Sequence, residues 1–78
     1  MTHLYFHCGY ADELFLDLRG ADVGDLDEAR DHALDVARTM MASAYGPVDF
    51  SDWFVCVGDE RDEGVLVVPF ASALPTLH

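Results

Sequence analysis

The residues of this chain best able to bind a metal or move a proton are its histidines and cysteines, and His3, His7 and Cys8 lie close together near its start. To share one ion they would have to converge on it at about 2 Å each. The surrounding residues read as a strand, which separates His3 from His7 by roughly 13 Å and points Cys8 the opposite way from His7. No metal site is therefore expected. The histidines read as an amphipathic edge and Cys8 as a packed thiol.

The second cysteine, Cys56, also lies within an apolar strand, where a free thiol packs like a small hydrophobe. A reactive thiolate needs a cationic neighbour or a helix N-terminus, and neither cysteine has a base in its flanking sequence. His7 beside Tyr5, and His32 on the helix, have the chemistry of acid–base groups. Each would need an orienting partner and a pocket. The stretch Asp59–Glu63 is rich in carboxylates but lacks the alternating oxygen ligands and terminal Glu of a calcium loop. No glycine pattern cradles a phosphate and no nucleophile elbow is present. The reading assigns no catalytic residue, no cofactor and no metal.

The elements that position these residues follow from periodicity. Leu4 to Cys8 predicts a first strand, with Leu4, Phe6 and Cys8 on one face and His3, Tyr5 and His7 on the other. Gly9 to Asp12 is a turn, and Glu13 to Leu18 a second strand, antiparallel to the first. Arg19 to Gly24 reads as a loop. Asp25 has the character of a helix N-cap, with Glu28 three residues on as in a capping box. The spacing of Leu26, Ala29, Ala33, Val36, Ala37, Met40, Met41 and Ala44 predicts one amphipathic helix from Leu26 to Ala44, stopped by Gly46 and Pro47. Asp27 with Arg30, and Asp35 with Arg38, can pair one turn apart. Asp52 to Val57 and Val65 to Phe70 are the third and fourth strands, joined by the charged turn. Pro69 cannot donate to a ladder, so that end of the strand lies at a sheet edge or leaves the sheet.

The expected fold is α+β in two layers. It is a four-stranded antiparallel sheet in ββαββ order with one helix on one face. The chain reads as one domain, residues 1–78, with a core over 1–70 and a loose tail over 71–78. Leu4, Phe6, Cys8, Leu14, Leu16, Phe54, Cys56, Leu66, Val68 and Phe70 are assigned to the covered face. The other face then carries Tyr5, His7, Phe15, Trp53, Val55, Val57, Val65 and Val67. That is too apolar for a solvated surface, and these eight residues are the interface candidates.

Composition points the same way. The chain is 51% hydrophobic, while so short a chain buries only about 60–65% of its unfolded surface. A homodimer, by face packing or edge pairing, is the simplest shelter for the surplus. Fifteen acidic residues face four basic ones, Arg19, Arg30, Arg38 and Arg61, for a net charge of -11. That charge repels phosphate backbones, so no direct nucleic-acid binding is expected, and it suits a basic protein partner. No apolar run approaches the roughly 20 residues that span a bilayer, and no leader is evident, so a soluble cytoplasmic protein is expected. The lack of Lys, Asn and Ile fits a GC-rich bacterial genome.

The order and spacing of several short motifs resemble a family of small bacterial proteins known only as a domain of unknown function. They are Leu4-Tyr5-Phe6-His7, Asp17-Leu18-Arg19-Gly20, Glu28-Ala29-Arg30 with Ala33, the Asp59 to Gly64 turn, and Val68-Pro69-Phe70. The resemblance runs from Leu4 to Phe70 and implies a bacterial origin and the ββαββ order. It carries over no activity and no catalytic residue. Cys8-Gly9-Tyr10 departs from the more polar hairpin turn of that pattern. At fold level alone the order is also similar to the partial RNase-H-type domain of HicB antitoxins, which implies an acidic neutraliser of a small basic toxin.

Three functions are consistent with these residues. The leading one is a non-enzymatic interaction or regulatory module that dimerises and binds a basic partner. The second is a small-molecule-binding protein or small enzyme using His7, Tyr5 and Trp53 at a dimer cleft. The third is a structural protein without a discrete ligand.

Overall fold

A computed structural model of the chain describes residues 2–44, 49–61 and 63–73. The alternating start extends further than its most apolar stretch, into a nine-residue strand β1, Thr2–Tyr10. Ala11, at φ 52, turns it back into the short strand β2, Glu13–Phe15. The ladder runs Cys8 to Phe15, Gly9 to Leu14 and Tyr10 to Glu13. β2 ends earlier than expected. Leu14 and Leu16, assigned above to the covered face, are 50% and 62% exposed. The chain leaves β1 at Leu16 because Asp17 is drawn into the sheet edge, as described below.

Where a loop was expected, Ala21–Val23 forms a third strand, β3, paired antiparallel with Thr2, His3 and Leu4. Among the described residues the sheet therefore has five strands in βββαββ order rather than four in ββαββ. The outer edge of β1 is shared by β2 near one end and β3 near the other.

The helix α1, Leu26–Ser43, starts as anticipated. The Asp25 carboxylate accepts the Glu28 N–H at 2.8 Å. Glu28 reaches back to the Gly24 N–H at 3.0 Å, one residue earlier than in the usual capping box. Ala44 caps the C-terminal end, and the Gly46–Pro47 stop signal lies outside the described residues. Arg38 pairs with Asp35 at 3.1 Å. Ala29, Ala33 and Ala37 are fully buried. Their small side chains let the helix backbone lie close to the sheet.

Strands β4, Phe54–Gly58, and β5, Gly64–Pro69, complete the sheet in the order β2-β1-β4-β5, all antiparallel. A short 3-10 turn, Phe70–Ala73, then bends towards the helix and buries Phe70 and Ala73, so the expected loose tail begins with ordered chain. Of that tail, residues 74–78 lie outside the described residues.

Register decides which residues form the core. Phe6 lies opposite Val57 and Cys8 opposite Val55. Val55 in turn lies opposite Val68, and Val57 opposite Leu66. Residues directly opposite in a ladder share a face. Val55 and Val57 are therefore beneath the helix with Leu4, Phe6 and Cys8, at 0% exposure. The expected assignment of β4 is reversed: Phe54 and Cys56 belong to the second face.

Candidate functional site

Asp17 is the best-connected polar side chain among the described residues. Its Oδ2 accepts the backbone N–H groups of Phe6 and Gly20, each at 3.1 Å, and its Oδ1 accepts that of Arg19 at 3.0 Å. The Phe6 N–H sits in the gap between the stretches of β1 paired with β2 and β3, so a carboxylate replaces a missing strand there. Burial by itself would raise the Asp17 pKa. The three N–H donors outweigh that and hold it below the ordinary value. Gly20 completes the turn at φ 68, where a Cβ would lie 2.6 Å from both the His3 ring and the Leu4 carbonyl oxygen.

His3 ties the same turn from the other side. Its Nδ1 is 2.7 Å from Asp22 Oδ1 and its Nε2 is 2.9 Å from the Arg19 carbonyl oxygen. Both ring nitrogens face acceptors, an arrangement that only the imidazolium satisfies fully. The bond to Asp22 is the larger cause of a raised pKa, and the Arg19 carbonyl adds to it.

His7 is nearly buried on the second face, stacked parallel to Tyr5 with ring centroids 6.3 Å apart. Its Nδ1 accepts the Asp17 N–H at 2.9 Å. That bond fixes the proton of the neutral ring on Nε2. Cys56 is its cross-strand partner. With its Nδ1 lone pair engaged by the Asp17 N–H, His7 has no free base at that nitrogen to offer the Cys56 thiol. Cys8 lies on the other face, and burial, helped by the negative Asp17, pushes its pKa up and keeps it a thiol.

The eight interface candidates divide between the two faces. Tyr5, His7 and Val67 lie on the second face together with Phe54, Cys56 and Pro69, while Val65 sits at a register shift in the ladder and lines a hollow on the helix side with Leu4, Val23 and Leu26. Val55 and Val57 are core. Trp53 is half-buried at the helix-side end of the sheet, 5.7 Å from Phe70 and 5.3 Å from Phe50 between ring centroids. Phe15 and Tyr10 stack on the same indole at 5.8 and 5.2 Å. A cleft using His7, Tyr5 and Trp53 together is thus ruled out within one chain, because the sheet lies between them. Sequence parity missed Phe54. The signal for it was Gly9, whose added Cβ would lie 2.4 Å from the Phe54 ring. The ring needs a glycine opposite it to lie flat on the sheet.

Beside the helix, Phe6, Cys8, Phe15 and Leu16 face His32, Val36 and Met40 across an open groove of about 400 Å³. His32 packs on Phe6 with centroids 4.4 Å apart. In the acidic turn, Asp59 accepts the N–H groups of Arg61 and Glu63, so its carboxylate shapes the backbone. Among the described residues, no three of His, Cys, Asp and Glu are grouped closely enough to hold a metal ion. No described helix is long and apolar enough to cross a membrane.

These features define a small two-layer α+β domain whose ordered polar groups are spent on building turns and a sheet edge. The chain belongs to DUF6894, a domain of unknown function, whose family model matches residues 3–71. That span contains every motif on which the resemblance was read. No curated protein and no solved structure matches the chain.

Proposed function

We propose that this domain is a non-enzymatic interaction module that self-associates, by its uncovered sheet face or by a free sheet edge, and offers its acidic surface to a basic protein partner. The observation that carries the reading is the one-sided sheet. The helix shelters one face, while the other presents Tyr5, Phe54, Cys56, Val67 and Pro69, with Val67 59% exposed. Apolar area of this kind contributes on the order of 25 cal/mol per Å² when buried, less the entropic cost of association. The -11 charge supports a basic partner rather than nucleic acid. Two free cysteines suit a reducing cytoplasm, and the residue usage suits a bacterium.

Light scattering on a size-exclusion column tests self-association directly. The expected mass at high protein concentration is twice the 8.6 kDa of one chain. A mass of one chain throughout would remove the reading.

A further inference from the structure

The outer edge of β5 is the long open edge of this sheet. β5 ends the strand order, and among the described residues nothing pairs with its far side. The opposite edge is already blunted: β2 is three residues long, Asp17 plugs the gap beside it, and β3 covers the rest. Sheets that stay monomeric usually protect such edges with charge, brevity or proline. β5, Gly-Val-Leu-Val-Val-Pro, carries no charge, and its one such device is the proline at its last position.

The direction of its free groups can be worked out. The Phe70 N–H donates inward to the Trp53 carbonyl oxygen at 2.9 Å. Alternation along an antiparallel strand then turns the Val68 groups inward and those of Val67 and Pro69 outward. Pro69 therefore costs the internal ladder nothing. After Pro69 the chain bends towards the helix, away from this edge.

We propose that a second copy of this chain docks here, β5 against β5, antiparallel about Val67, so that the two sheets run on as one. This rests on the self-association reading above and names its geometry. The two Val67 residues exchange N–H to carbonyl bonds across a two-fold axis. Leu66 then lies opposite the partner's Val68 on the helix face, while Val65, at the register shift of β5, meets the partner's Pro69, which has a carbonyl but no N–H to offer it. Every pair along the seam is apolar, which makes the strand complementary to itself. The occupant is a second copy for a further reason. Antiparallel docking carries the two acidic Asp59–Glu63 turns to opposite ends of the seam, so the charge of each chain does not meet its like there.

Amide hydrogen exchange of the full chain, read by NMR at low and high protein concentration, tests the proposal. Val67 N–H faces solvent in one chain, and it should slow by roughly tenfold or more as dimer forms. Val67→Pro removes only that outward donor and should weaken dimerisation by about tenfold or more. A dimer by mass whose Val67 amide exchanges as fast as in the monomer overturns the edge geometry while leaving self-association intact. A single-chain mass at every concentration overturns both. Protection of Val67 that arises only on adding an oligo-arginine peptide, with no dimer, overturns the second copy as occupant. Should Val67→Pro not fold, the exchange measurement on the native chain decides alone.

Discussion

At the scale of single residues, the ordered polar chemistry of this domain is concentrated in one turn. Asp17 is a carboxylate in the place of a strand, and removing it leaves the Phe6 N–H at the sheet edge and the Arg19 and Gly20 N–H groups without an acceptor. Asp17→Ala should cost about 1–3 kcal/mol in a urea titration. Its pKa is lowered in the fold, so the contribution is whole above the ordinary value of 3.8 and fades as pH falls through the lower native one. The gap between wild type and variant should therefore close in acid; a gap unchanged between pH 7 and pH 2.5 would contradict the assigned role. His3 has the opposite sign. Its pKa is raised, so its bonds to Asp22 and Arg19 are complete below 6.5 and are lost as pH rises through the higher native value. An NMR titration should place His3 above 6.5, and Asp22→Asn should bring the midpoint down. A native midpoint at or below 6.5 would show that the two acceptors do not hold the imidazolium.

At the scale of elements, the helix is the part that depends on its small residues. Ala29, Ala33 and Ala37 are wholly buried against the sheet. Ala37→Leu should destabilise by about 1–3 kcal/mol through overpacking, whereas Ala42→Leu, on the exposed side, should be close to neutral. Thermal melts separate the two, since about 1 kcal/mol moves the Tm of a domain this size by roughly 4–8 °C. Equal melts for both variants would mean the helix does not sit as closely as its alanines imply. The helix was readable in advance because its cap and its period are local. Asp25, Glu28 and the alanine stripe need no knowledge of the rest of the chain. The sheet was readable only in part. In β4, Phe54 and Cys56 are as apolar as Val55 and Val57, so alternation cannot say which pair faces the helix; the ladder with Phe6 and Cys8 decides it. β3 was missed because Ala21-Asp22-Val23 has no strand period of its own. It is held by pairing with Thr2 to Leu4 and by the His3 bond to Asp22, both contacts between distant positions. The candidate face was visible as a surplus of apolar residues, yet more than half of its proposed members changed sides or joined the core for this same reason.

At the scale of the whole molecule, two tendencies oppose each other. In the self-association proposed above, the uncovered face and the β5 edge would draw two copies together, and a charge of -11 on each would drive them apart. The seam itself is neutral, so the repulsion is long-range and comes from groups away from it. Charges of that kind are screened by salt, with a Debye length of about 10 Å at 0.1 M. Hydrogen bonds and apolar contacts along β5 are not weakened in the same way. Raising the salt from about 50 to 200 mM should therefore tighten self-association several-fold. A basic partner held by the acidic surface responds with the opposite sign, because the attraction that binds it is the one being screened. Sedimentation equilibrium across that salt range, with and without an oligo-arginine peptide, reads both signs on one sample. Self-association that weakens as salt rises would mean that charge pairs, not the β5 strand, join the copies.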